Sequence, residues 1–479
     1  MKMSLFRRAL LSGLLAFPAA VRAAVAVPDS FADVAERLLP SVVSVSATKT
    51  SDKDDAVSNV PDGSAFSDFF NEFYKGGGSL AGRKDILLGS GFVYGSEGHI
   101  VTSSHVVENM SEVTVTLNDG KALKGKVVGK DPKTDVALVK VDTDVPLPPV
   151  TVGNSDASRV GDVVLAIGNP FGLGNTVTSG IISARSRDIQ VGPYDDFLQT
   201  DAAINRGNSG GPLFNAKGEL IGVNTAIFSP SGGSVGIAFA VPSNMAKWIA
   251  DSLIENGRVR RGRLGLKIQT VSPDIARSLK MPRVYGALVA GVDPQSPAAR
   301  SKIQTGDVIV SFNGKEVSSM RALPRMAAEA PVGKEARLGI WRDGKAFKVP
   351  LLIEEMKDAD PVKPPVLSEI DDKTRIEPIP FLGVSAAELS PAVRQKYRLP
   401  KNAQGVLISS VAPRTDAAGK GLRLGDLLVE IDRKPVASLQ DVLEWKNAVA
   451  ETGQDSAFLL IERGGDRFFM VVKFSVAEE

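Results

Sequence analysis

The chain has 479 residues, 43% of them hydrophobic, a formal net charge of +2 and no cysteine. That length holds two to four domains. The missing cysteines exclude a disulfide framework, a thiol nucleophile and a thiolate metal site, and a charge so near zero argues against nucleic-acid binding.

The first elements concern export. Lys2, Arg7 and Arg8 form a basic start, Ala9 to Phe17 a short apolar core, and small residues follow at Ala19, Ala20, Ala23, Ala24 and Ala26. This pattern predicts a signal peptide over residues 1–26, cleaved after Ala23 or Ala26. Its removal takes away Lys2, Arg7, Arg8 and Arg22 and no acid, which turns the net charge from +2 to −2. No later stretch approaches the roughly 18 apolar residues of a membrane-spanning helix, so no integral span is expected in the mature chain. Export without cysteine suits an oxidising compartment, read here as the bacterial periplasm.

A short amphipathic helix is expected from Phe31, with Val34, Ala35, Leu38 and Leu39 on its apolar face. Residues 49–84 are rich in Ser, Asp and Gly and read as a mobile insertion. Within it Phe66, Phe69, Phe70, Phe73 and Tyr74 recur at helical spacing. Aromatics on one face of a short helix must dock somewhere, and the plainest reading is packing on the protein's own surface.

From Asp85 to Pro242 short strands alternate with Gly, Asn and Asp turns. The pattern suits two antiparallel barrels with a cleft between them. Three segments in this stretch carry chemistry. In Gly207-Asn208-Ser209-Gly210-Gly211-Pro212 a serine stands among glycines. There the backbone N–H groups of Gly207, Asn208 and Ser209 can surround a developing oxyanion beside the hydroxyl. A serine nucleophile needs a base, and the chain has only two histidines. His99 opens a strand after the turn Gly95 to Gly98 and reads as solvated. His105 closes that strand, where a side chain can face a cleft. Asp135 heads the buried-looking strand Val136-Ala137-Leu138-Val139 and can orient an imidazole. Asp131, followed by Pro132, reads as a turn acid, and Asp142 and Asp144 as exposed. A helix is expected over Val241 to Asn256, capped by Ser243.

The C-terminal half contains an internal repeat. Leu264-Gly265-Leu266 recurs as Leu382-Gly383-Val384, and Gly306-Asp307-Val308 as Gly425-Asp426-Leu427. Residues 355–378, rich in Pro, Asp and Lys, read as a linker between the copies.

The order His105, Asp135, Ser209 is that of the chymotrypsin-type clan. The segments Gly89-Ser90-Gly91-Phe92, Asn205 to Gly211 and Gly236 to Pro242 resemble the HtrA family of serine proteases, in particular its DegP/DegQ-like group. The resemblance runs from about Phe31 to the end of the chain. It implies a mostly β protein: a chymotrypsin-like double β-barrel protease domain over 27–256, then two PDZ domains over 260–354 and 379–479. It also implies the catalytic set His105, Asp135 and Ser209, and a side-chain pocket walled by Ile204, Phe228 and Ile237. Ala203 stands where trypsin-like enzymes place the acid that selects Lys or Arg, so a small aliphatic residue before the cut is expected.

The repeats resemble PDZ domains. Leu264, Gly265 and Leu266, and likewise Leu382, Gly383 and Val384, would offer N–H groups to a peptide carboxylate and a strand edge to the peptide. Arg263 could add charge in the first copy; Phe381 replaces it in the second. The resemblance to the family further implies unfolded polypeptide substrates, a holding role, C-terminal peptides as ligands, and a homo-oligomer of trimers and larger cages. No cofactor and no metal are called for. No phosphate-binding GxxxxGK[ST] loop is present, so ATP-driven unfolding is not encoded.

Overall fold

The structure, a computed structural model, describes residues 30–48, 86–169, 174–229, 233–356, 376–397, 399–449 and 452–474. The expected signal peptide and the aromatic insertion lie outside the described residues.

Two closed six-stranded barrels come first. The first contains β1 (Val42–Thr48), β2 (Ile86–Gly95), β3 (His99–Thr102), β4 (Glu112–Thr116), β5 (Ala122–Asp131) and β6 (Val136–Val141), in the order β1-β2-β3-β6-β5-β4. The second contains β7 (Val163–Gly168), β8 (Thr176–Arg187), β9 (Phe197–Thr200), β10 (Pro212–Asn215), β11 (Leu220–Ile227) and β12 (Ala238–Pro242), in the order β10-β11-β12-β9-β8-β7. Alternation builds the first barrel: Val113 and Val115 are buried in β4 while Glu112 and Thr114 are exposed. Strand β11 is buried along its whole length because both of its faces are covered. Closure leaves neither barrel a free edge.

The helix Ser243–Asn256 seals the second barrel with Met245, Ile249 and Leu253. Ser243 does not cap it. The residue at the cap position is Pro242, and the Ser243 hydroxyl donates instead to the Gly153 carbonyl at 2.8 Å. The helix ends on Gly257 in the left-handed region, φ 67°, where glycine carries no Cβ penalty.

Each C-terminal repeat has its own main sheet, and the first adds a separate two-stranded one, Gly262–Arg263 with Glu354–Glu355. The first contains β13 (Gly262–Arg263), β14 (Leu266–Thr270), β15 (Ala287–Val292), β16 (Val308–Phe312), β17 (Lys315–Glu316), β18 (Glu335–Arg342), β19 (Lys345–Leu352) and β20 (Glu354–Glu355). The second contains β21 (Ile376–Ile379), β22 (Val384–Glu388), β23 (Val406–Val411), β24 (Leu427–Ile431), β25 (Lys434–Pro435), β26 (Ser456–Arg463) and β27 (Asp466–Lys473). The copies share their internal bracing. Arg342 grips buried Asp307, and Arg463 grips buried Asp426, each through two hydrogen bonds.

The sheets differ at one edge. In the first repeat β13 pairs with β20, and β14 lies at the edge of its sheet. In the second, β21 folds back onto β22, from Ile379 opposite Val384 to Ile376 opposite Ala387. Pro378 lacks an N–H and is tolerated there because β21 is itself an edge strand. The expected linker therefore ends in a strand. The edge beside Leu382, Gly383 and Val384, expected to accept a peptide, is already hydrogen-bonded to the chain itself. Phe381 stacks on Trp445 at 6.1 Å and meets Phe474 edge-on at 5.7 Å, which closes the same end of the repeat.

The units touch one another. Asp131, read as a turn acid, is the last residue of β5 and is buried. It pairs with buried Arg261 at 2.5 Å. The guanidinium lies 4.7 Å from the Tyr194 ring and 5.6 Å from that of Trp248. Burying both charges is tolerable because they are paired. Between the repeats, the Gln269 side chain both donates to the Phe469 carbonyl and accepts from its N–H, at 2.9 and 2.6 Å.

Candidate active site

The candidate site lies where the barrels meet. His105 sits in a single turn of 3-10 helix, Ser104–Val107, just past β3, and is buried. Asp135 sits just before β6 with φ 58°, a left-handed conformation that Asp tolerates better than most residues. This turn points the carboxylate back at His105. The His105 Nδ1–H reaches both carboxylate oxygens, at 2.9 and 2.8 Å, and the His105 backbone N–H donates to Oδ1 at 3.0 Å.

Burial alone would raise the Asp135 carboxyl. The charge of His105, its ring hydrogen bond, the Thr225 hydroxyl and the His105 N–H outweigh burial and hold it below the usual carboxylate range. Asp135 is therefore an anion at neutral pH. His99 is elsewhere, hydrogen-bonded to Glu97 at 2.5 Å.

Ser209 comes from the second barrel, in the loop before β10, and is buried. Thr225, on β11, joins it to the His105–Asp135 pair. Its hydroxyl donates to Asp135 Oδ2, and its carbonyl accepts from Ser209 Oγ at 3.5 Å. Sequence reasoning missed Thr225, because a threonine inside a strand carries no pattern of its own.

The serine loop is held by its backbone. Gly210 has φ 83°, and a Cβ there would come within 2.3 Å of the Ser90 carbonyl oxygen. Only glycine fits so close an approach. The Gly210 N–H donates to the Asn224 carbonyl at 2.7 Å and the Gly211 N–H to the Asn208 carbonyl at 2.9 Å. The Asn208 N–H is turned inward, onto the Asn205 carbonyl at 3.0 Å. That internal bond takes Asn208 out of the expected oxyanion set and leaves Gly207 and Ser209.

The expected pocket residues share the second barrel. Ile204 is buried in its core, with Ile237 packed against that core. The Phe228 N–H donates to the Ile237 carbonyl at 3.0 Å, setting those two side by side, and Phe228 remains 36% exposed.

The first repeat presents a cavity of about 210 Å³ lined by Leu264, Leu266, Ile268, Leu323 and Ala327, with Tyr194 reaching in from the second barrel. Arg263 lies beside it and pairs with Asp293 at 2.7 Å. On the adjoining helix Ala322–Glu329, Arg325 pairs with Asp196. Among the described residues no helix is long and apolar enough to cross a membrane.

Residues 89–223 match the family model for a trypsin-like peptidase domain and residues 262–352 that for a PDZ domain. The "probable periplasmic serine endoprotease DegP-like" of Rhizobium meliloti (strain 1021) is 40% identical over 94% of this chain and 93% of its own. The "periplasmic serine endoprotease DegP" of Salmonella typhimurium (strain LT2) is 39% identical over 90% of this chain and 92% of its own. A solved structure of the HtrA-type protease AlgW with tripeptide is 38% identical, with a TM-score of 0.56, and covers 69% of this chain and 98% of that one.

The chain belongs to the HtrA/DegP family of periplasmic serine endoproteases. It is a periplasmic serine endopeptidase of mostly β fold, with barrel and PDZ units as the sequence led one to expect.

Proposed function

We propose that the protein cuts unfolded envelope polypeptides without ATP, through an acyl-enzyme formed on Ser209. The observation that carries this reading is the connection through Thr225, which ties the His105–Asp135 pair to the hydroxyl of Ser209. Ser209 Oγ attacks the peptide carbonyl. His105 takes its proton on the ring nitrogen turned away from Asp135 and returns it to the leaving amine. Asp135 fixes the tautomer and stabilises the imidazolium. The N–H groups of Gly207 and Ser209 receive the oxyanion; one such donor is worth roughly 10²–10³ in rate. The apolar wall of Ile204, Phe228 and Ile237 takes a small aliphatic side chain.

Incubation of wild type and Ser209→Ala with a reduced, unfolded protein tests this directly. Fragments from wild type alone are expected; equal fragment patterns would sink the assignment. Suppressed aggregation by Ser209→Ala would mark the holding role. The assignment of units 27–256, 260–354 and 379–479 and assembly into trimers or larger cages belong to the same proposal, the latter checked by light scattering.

C-terminal peptides belong to the first repeat, where Leu264, Gly265 and Leu266 stand beside the edge strand β14. A Cβ on Gly265, at φ 76°, would lie 2.1 Å from Ser296 Cβ. Gly265→Ala should therefore weaken a C-terminal peptide at least about tenfold by fluorescence anisotropy, the size of one lost charged hydrogen bond. Gly383→Ala, beside the self-paired edge, should leave peptide affinity unchanged. Equal losses in both variants would show that the second edge also binds.

A further inference from the structure

Ser90 lies in β2 of the first barrel, between Gly89 and Gly91, and is fully buried. Its polar atoms reach other segments. The hydroxyl donates to the Gly207 carbonyl at 2.6 Å and accepts from the Asn169 N–H at 2.8 Å. The backbone N–H donates to the Ser209 carbonyl at 2.9 Å, and the carbonyl accepts from Thr102 Oγ1 at 2.7 Å. A hydroxyl has one proton to give, and here it goes to the loop that carries the nucleophile.

A peptide unit is planar, so holding its carbonyl also aims its N–H. The unit joining Gly207 to Asn208 is held at both ends: its carbonyl by Ser90, its N–H by the Asn205 carbonyl at 3.0 Å. The unit joining Ser209 to Gly210 is held by the Ser90 N–H and the Asn224 carbonyl. The unit between them, which carries the Ser209 N–H, has its carbonyl held by the Gly211 N–H. Glycines leave Ser90 room for this approach: a Cβ on Gly168 would come within 2.8 Å of the Ser90 hydroxyl, and one on Gly211 within 3.1 Å of its Cβ.

We propose that Ser90 is a positioning residue for the oxyanion-binding N–H group of Ser209, whose peptide unit lies between the two units that Ser90 holds. It acts through the carbonyls on either side of the nucleophile and never touches substrate. The hydroxyl also ties the loop to Asn169 at the end of β7, so both segments share one anchor in the first barrel. The proposal rests on Ser209 being the nucleophile.

The test compares full-length wild type, Ser90→Ala and Ser90→Cys on a chromogenic peptide, with two inhibitors of one peptide sequence. A peptide aldehyde forms an oxyanion on Ser209; the matching peptide alcohol does not. Ser90→Ala should lower kcat roughly 10–100-fold, less than deletion of a donor itself, with KM within about twofold. Aldehyde affinity should fall by the same factor and alcohol affinity should hold. Ser90→Cys, which keeps a weak donor, should fall between the two.

An unchanged kcat, or equal weakening of aldehyde and alcohol, would overturn the proposal. So would a loss of kcat that tracks a lowered melting temperature across the two variants. Failure of the Ser209 reading would show separately, as a wild type indistinguishable from Ser209→Ala.

Discussion

The two barrels share closure and strand number but serve the site in different ways. The first places His105 and Asp135 next to regular strands, within one hydrogen-bonded unit of its own. The second places Ser209 on a glycine loop that leans on its neighbour. Ser90, from the first barrel, holds the carbonyls of Gly207 and Ser209, while Thr225, from the second, reaches across to Asp135. The His105–Asp135 pair is thus largely built within one barrel, whereas Ser209 is fixed by bonds that cross the seam. Damage to the first barrel's pair should change the protonation chemistry. Damage to the seam should change the alignment of Ser209, the proposed nucleophile.

Asp135→Asn is the largest break short of removing the nucleophile. It should cost kcat about 10⁴-fold, because the amide favours the wrong imidazole tautomer. Steady-state kinetics would check it; a loss under tenfold would remove Asp135 from its role. The same variant reports on acid stability. The native Asp135 carboxyl is depressed, so its contribution is complete above the unfolded value near pH 4 and fades as pH falls through the lower native value. Urea unfolding should therefore separate wild type from Asp135→Asn at pH 6, with the gap closing towards pH 2.

Thr225→Val sharpens the contrast. It removes one hydrogen bond to a charged group, worth about 1.5–3 kcal/mol, and should lower kcat roughly 10–100-fold while the fold persists. If Thr225→Val left kcat unchanged, the cross-barrel link would be structural only.

Much of this was legible from residues that carry their own pattern. The serine loop, a histidine after a strand, an aspartate before one, and a repeat at near-constant offset all announce local chemistry. What stayed hidden depends on partners far along the chain. Asp131 looked like a turn acid because Pro132 follows it; its burial is set by Arg261, which only tertiary structure brings near. Ser243 looked like a helix cap, yet its hydroxyl is used by Gly153. Ile376-Glu377-Pro378-Ile379 carries linker composition, and only its register on β22 reveals a strand. Asn208 fits an oxyanion loop by spacing, but the direction of its N–H is decided by the Asn205 carbonyl.

In the proposed mechanism Ser209 is the nucleophile, activated by His105 across the seam. The most direct measurement is labelling with a fluorophosphonate, followed by peptide mass mapping of wild type and His105→Ala. A single adduct on Ser209 is expected in wild type, with its near-absence in folded His105→Ala. An adduct on another residue, or equal labelling of Ser209 in both proteins, would contradict that mechanism.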